Sequence, residues 1–276
     1  MANIDHIMPK PVVVPIFWGH DYVANPNTTN NLQKMVSDLV TGPFMNGLAQ
    51  YGIQRGTMLA PVIIDDQNPP MTITYRDTNN QLKDEITQRL VGWINDGTVP
   101  PPPSPTDIDQ LYIIFPPSET APRTYNGAGD PIGNGVQGWH NVGVSNPPSP
   151  PTYYWAIVKT NDVGPPSLTL AFVNGVAPKV SHELVEQLAD RNGTFEELGD
   201  PCNNTLVTYR GWSVQQYHSD WDTTPTNPNG CINGDNPVSL KRFLTAIGFD
   251  FQHRGLRSLG TSIINIDYVA TTMRAH

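Results

Sequence analysis

His182, Glu183 and Glu186 fall together in "VSHELVEQLAD" (Val180–Asp190), and the acidic segment "EELGDPC" follows closely. On an α-helix, residues i and i+4 stack on one face, so His182 and Glu186 would sit one above the other. Glu183 would lie about 100° round the axis from His182. Ala177, Val180, Leu184 and Leu188 would occupy the opposite face and anchor the helix in a core. This is the arrangement of a metallopeptidase zinc helix, with glutamate where a second histidine usually stands. Zinc accepts histidine nitrogen and carboxylate oxygen at similar distances. A set this rich in carboxylates also suits calcium or manganese.

A catalytic ion needs three protein ligands and an open position for water. Glu197 and Asp200 of "EELGD" are the candidates for the third, one as ligand and the other as an acid that orients the histidine. Asp200 is the preferred ligand. His140 in "GWHN" and His218 in "QYHSD" are outside candidates. Glu183 would be the general base, taking a proton from a water whose pKa the metal lowers toward about 7. The same residues also suit the solvated polar face of an ordinary amphipathic helix. His6, His20, His253 and His276 read as surface or satisfied histidines.

The elements that must position these residues are legible as alternating patterns. "VVVPIFWG", "TMLAPVIID" (Thr57–Asp65), "QLYIIFPP" and "TYYWAIVKT" are β-branched and aromatic runs that read as strands. Pro61 suggests an edge or bulge in the second of them. Leu32, Met35, Val36, Leu39 and Val40 predict one helix, and Leu82, Ile86, Leu90 and Ile94 predict another. "FMNGLAQYG" reads as a further helical piece. "SLTLAFVNGV" is a short strand or a lead-in to the His182 helix, which starts near Ala177 or Pro178, because proline is comfortable at a first helical position. "TLVTYRGWSVQQYHS" reads as a hairpin, "PVSLKRFLTAIG" as a helix and "TSIINIDYVA" as a final strand. Proline-rich "VPPPPSPT" and the glycine-rich stretch from Gly127 to Gly138 are loops. The alternation predicts one layered α/β domain over residues 1–276: a mixed sheet with flanking helices, a zincin-like active helix and long Pro/Gly-rich loops.

Composition narrows the partners. A net charge of −9 argues against nucleic acid and anionic membranes, which need a cationic footprint. No apolar run reaches the roughly 18 residues of a membrane span. "MANIDHIMPKPVVVPIF" has no basic patch followed by an apolar core, so as written it is not a signal peptide. Cys202 and Cys231 are either two buried thiols or a bridge across a loop dense in Asn, Pro and Gly.

"SHELVEQLAD", "EELGDPC", "GWSVQQYHSDWD" and Cys231, in that order, resemble the EXORDIUM/phosphate-induced protein family of plants and its bacterial and fungal relatives. Those proteins carry a His-Glu-x-x-Glu helix, a Glu-Ile-Gly-Asp-x-Cys segment and a Val-Gln-x-Tyr-Trp-Ser hairpin. "GWHN" and "VVVPIFWG" are similar to two further stretches of that family. The resemblance places His182, Glu183, Glu186, Glu197, Asp200, Cys202 and Gln215 on motif positions. It implies a metallopeptidase-like protein, secreted, with a Cys202–Cys231 bridge. The chain departs from the family pattern at Ala189-Asp190-Arg191, at His218, where the family has Trp, and in the short segment between the helix and "EELGD", which lacks the usual Trp-Tyr.

The expectation is therefore a zinc-dependent metallopeptidase with one divalent ion. His182, Glu186 and Asp200 (or Glu197) are its ligands, Glu183 is its base and His140 steadies an oxyanion. Its partner would be a peptide or protein substrate. The alternative is a non-catalytic, metal-containing secreted module for binding or signalling, with a cell-wall polymer as partner. A plainer third reading is a metal-free globular protein.

Overall fold

Parallel strands covered on both faces need side chains that are apolar in both directions, and three runs of this sequence meet that demand. In the computed structural model, β1 (Val12–Trp18) is followed by α1 (His20–Ala24), α2 (Pro26–Thr41) and a 3-10 helix over Pro43–Tyr51. Then come β2 (Thr57–Met58), β3 (Val62–Ile64), β4 (Thr72–Thr74), α3 (Glu85–Asn95), β5 (Gln110–Phe115), β6 (Ala121–Tyr125) and β7 (Pro131–Ile132). β8 (Gly138–Val144), β9 (Thr152–Val158) and α4 (Thr169–Ala189) lead to a short 3-10 turn, Asp200–Cys202. The chain continues through β10 (Leu206–Tyr209), β11 (Trp212–Gln215), β12 (Tyr217–His218) and β13 (Cys231–Ile232). The structure describes residues 7–74, 84–104, 109–125, 131–132, 138–144, 152–190, 198–203, 205–220, 223 and 226–232, all within one compact unit, Met1–Leu240. The helix expected over "PVSLKRFLTAIG", the strand over "TSIINIDYVA", Leu82 and Glu197 lie outside the described residues.

The main sheet has the order β2-β1-β5-β9-β8, with β3 beside β1 on the same edge as β2. Its pairings are parallel except that of β8 with β9. Alternate residues feed two cores. Val13, Phe17, Leu111, Ile113, Phe115, Ala156 and Val158 pack with α2, α4 and the β10–β11 hairpin. Val14, Ile16, Trp18, Tyr112, Ile114, Trp155 and Ile157 pack with Ile86, Leu90 and Ile94 of α3. The result is a mixed sheet with helices on both faces, as the alternation implied. No helix among the described residues is long and apolar enough to cross a membrane.

Two expectations are corrected. The strand expected over Thr57–Asp65 is broken into β2 and β3. Leu59 N donates to Val13 O and Gly19 N donates to Ile64 O, so the odd residues of β1 face that edge. Pro15 shares their parity and turns a position without an N–H toward it, opposite a gap that contains Pro61. The helix expected to start near Pro178 begins at Thr169 and carries Pro178 in its interior. An interior proline costs about 3 kcal/mol. Burial of Phe172, Val173, Val176 and Val180 offsets it, at about 1.5–3 kcal/mol for each such side chain.

A buried carboxylate fixes the hairpin to α2. Asp38 accepts from Trp212 Nε1 at 2.9 Å and Arg210 Nη1 at 3.2 Å, and pairs with Lys34. Burial alone would raise the Asp38 carboxyl, but its bonds to Lys34, Trp212 and Arg210 prevail and lower it below the ordinary 3.8. A depressed pKa stabilises the fold above the unfolded value, and that contribution is lost as pH falls through the lower folded value. Asp38→Asn should therefore cost about 2 kcal/mol at neutral pH. Urea unfolding at neutral pH and below pH 4 checks this, because the gap from the native protein should shrink in acid.

Candidate metal centre

Three elements converge on the face of α4 that carries the acids. β8 supplies His140. Its register partner is Ala156, which lies in the α4-side core, whereas its neighbour Trp139 packs with the α3-side cluster. The period-2 alternation of a strand thus aims His140 at α4. The 3-10 turn supplies Asp200, and the Cys202–Cys231 disulfide ties that turn to β13. Closing a loop of this length contributes about 3.5 kcal/mol in the chain-entropy picture.

The carboxylates on α4 are not solvated. Glu183 is 3% exposed and Glu186 is 2% exposed. Two glycines press directly on them. A Cβ on Gly138 would stand 2.7 Å from Glu183 Oε1, and one on Gly199 would stand 2.6 Å from both Glu186 Oε1 and His182 Nδ1. Only a residue without a side chain lets β8 and the Gly199 turn close over the helix this tightly.

His140 Nδ1 lies 3.1 Å from Glu183 Oε2 and 3.5 Å from Glu186 Oε2. His182 Nε2 lies 3.1 Å from Glu186 Oε2 and 4.0 Å from Asp200 Oδ1. Donors bound tetrahedrally to a zinc-sized ion at about 2.0–2.1 Å stand about 3.4 Å apart. Two triads therefore have spacings suited to a cation, His140–Glu183–Glu186 and His182–Glu186–Asp200, with donor atoms within 4.8 Å of one another in each. The first is buried. The second opens to solvent at Asp200, whose side chain is 56% exposed.

The electrostatics favour a positive charge here. Burial works against a charged His182, but the bond and charge of Glu186, then Glu183 and Asp200, hold its proton up to about 9. Glu186 is raised, by burial first and by the charge of Glu183, against the opposing pull of His182. Its Oε1 is buried and makes no hydrogen bond to the described residues. A buried carboxylate oxygen without a partner is costly, and a cation satisfies it. The cluster is a buried His/Glu/Asp set capable of chelating a metal ion.

Gln215 of β11 supports the imidazole from behind. Its Nε2 donates to Gly199 O at 2.9 Å and stands 2.8 Å from His182 Nδ1.

No protein family, no curated protein and no solved structure matches the chain. The resemblance to the EXORDIUM-type proteins rests on the motif residues alone.

Of the residues singled out from sequence, His140, His182, Glu183, Glu186 and Asp200 meet in this cluster. Glu197, the rival third ligand, lies outside the described residues. His218 is elsewhere, with Nδ1 2.6 Å from Asn229 O and Nε2 3.0 Å from Asp220. His20 is half exposed beside Asp65. Gly138 and Gly199 were missed, and their signal was present: each lies within two residues of a candidate ligand.

Proposed function

We propose that this chain is a metal-dependent hydrolase that holds a divalent cation, zinc, between His182, Glu186 and Asp200 and cleaves peptide bonds. The observation that carries the reading is Glu186. Its carboxylate is buried against two imidazoles with one oxygen left without a hydrogen bond. A bound zinc supplies Lewis acidity and lowers the pKa of water to about 7.

The chain's own residues do the rest. His182 is held by Gln215, so its Nε2 is oriented before any ion arrives. The exposed side of Asp200 leaves a solvent-facing position for a substrate carbonyl. Glu183, fixed by His140 at 3.1 Å, lies one helical step from His182 and takes the proton when a single ion is bound. The disulfide Cys202–Cys231 supports placement in an oxidising compartment, and so a secreted protein.

The test is elemental analysis of protein purified without chelator, together with Glu183→Gln in a casein or peptide-library assay. Zinc bound by the native chain, with cleavage falling by about 10²–10⁴ in the variant, is the expected result. Bound zinc with no cleavage by the native chain would favour the non-catalytic module with a cell-wall polymer partner. Absence of any bound metal would end the metal reading.

A further inference from the structure

The geometry points to a second cation, held by His140, Glu183 and Glu186, so that Glu186 is a carboxylate shared by two ions. This rests on the cation proposed above at His182, Glu186 and Asp200. Four observations lead here.

The His140 triad has donor spacings of 3.1 and 3.5 Å about His140 Nδ1, closer to those around a zinc-sized ion than the 4.0 Å separating His182 and Asp200. It is also the drier of the two, with His140, Glu183 and Glu186 side chains 8%, 4% and 3% exposed. Two carboxylates thus share one imidazole nitrogen away from water, which leaves negative charge in excess. Glu186 Oε2 is common to the short contacts of both triads, while Oε1 has no hydrogen bond. A carboxylate can bridge two ions through one oxygen or both; here Oε2 already faces both imidazoles, and Oε1 is committed to no hydrogen bond with the described residues.

Charge balance agrees. Glu183, Glu186 and Asp200 outweigh one dication, whereas two dications reverse the sign and attract a carbonyl or hydroxide oxygen. Paired metal sites in hydrolases have ions about 3.5–4 Å apart, a separation that one shared carboxylate spans. Glu183 then becomes a ligand rather than a base. The substrate class is unchanged, a carbonyl compound attacked by water, with a peptide as the candidate.

Chelator-treated protein is loaded with Zn(II), desalted and analysed for metal per chain. The same protein is loaded with Mn(II) and examined by electron paramagnetic resonance. We expect two zinc per chain, falling to one in His140→Asn, and a spin-coupled manganese pair. One zinc per native chain overturns the second site and leaves the first standing. Two uncoupled manganese ions also overturn it, because the second ion then lies elsewhere. No bound metal overturns both. The manganese spectrum is read on the native chain, so the result does not depend on whether His140→Asn folds.

Discussion

Replacing Glu186 by glutamine should remove the response of the protein to zinc altogether. Glu186 is the residue common to both triads, so no arrangement of the remaining donors keeps three ligands around either ion. Glutamine keeps the shape and loses the charge. Its amide can offer one neutral oxygen, but its NH₂ group would face His182 or His140. A ligand that binds only the folded state stabilises it by about 4 kcal/mol at a thousandfold excess over its dissociation constant. For a chain of this size that is roughly 8–16 °C in melting temperature. Thermal unfolding of the native protein with and without zinc should show this shift, and Glu186→Gln should show none. Asp200→Asn is the useful comparison. Asp200 belongs to only one triad and is largely exposed, so part of the shift should survive. A full zinc response in Glu186→Gln would place the ion outside this cluster.

The layered fold was legible because its signals are local. β1, β5 and β9 are runs of apolar residues, and burial on both faces is what such runs demand. The α2 and α3 stripes are helical repeats that tertiary packing leaves intact. The errors came where two local rules met a non-local one. Pro178 is a permitted helix start, and the apolar residues before it suit a strand as well as a helix. Packing against the sheet and α2 decided for one continuous helix, and nothing within the segment records that contact. In the same way Pro61 marks a break, but the break depends on Pro15 of a strand forty-six residues earlier in sequence.

The candidate site was legible in its donor residues and illegible in its enclosure. A spacing of four residues on a helix is enough to bring His182 and Glu186 together. Whether that face meets water or protein depends on β8 and the Gly199 turn. A solvated helix face and a buried chelating cluster share the same residues, and only the covering elements distinguish them. His140 illustrates this. The sequence places it in "GWHN" without a direction, and the antiparallel register opposite Ala156 supplies the direction. Gln215 was picked out by resemblance alone. No spacing rule joins it to His182, because the link is across the hairpin.

The enclosure gives the last expected result. Gly199→Ala should weaken zinc binding although it removes no ligand. Gly199 has φ −75° and ψ −40°, a conformation that alanine adopts freely. Backbone preference alone therefore predicts a gain of about 0.5–1 kcal/mol. The new Cβ would stand 2.6 Å from Glu186 Oε1 and 2.6 Å from His182 Nδ1. Neither can retreat easily. Glu186 is buried, and His182 is backed by Gln215. Relief must come from the turn itself, which carries Asp200 outward and away from His182. Overpacking of this kind costs about 1–3 kcal/mol, so the net change should be a loss of about 1–2 kcal/mol. Zinc affinity should fall by more than tenfold, the scale expected when the orientation of a ligand is disturbed. Gly92→Ala in α3 separates the two causes. Nothing lies within 4 Å of that Cβ, so the helix propensity of alanine should act alone and stabilise by about 1 kcal/mol. Urea unfolding of the two variants should move in opposite directions, and calorimetric zinc titration should change in Gly199→Ala alone. If Gly199→Ala instead binds zinc as the native chain does, the Gly199 turn does not form part of the metal site and Asp200 is not a ligand.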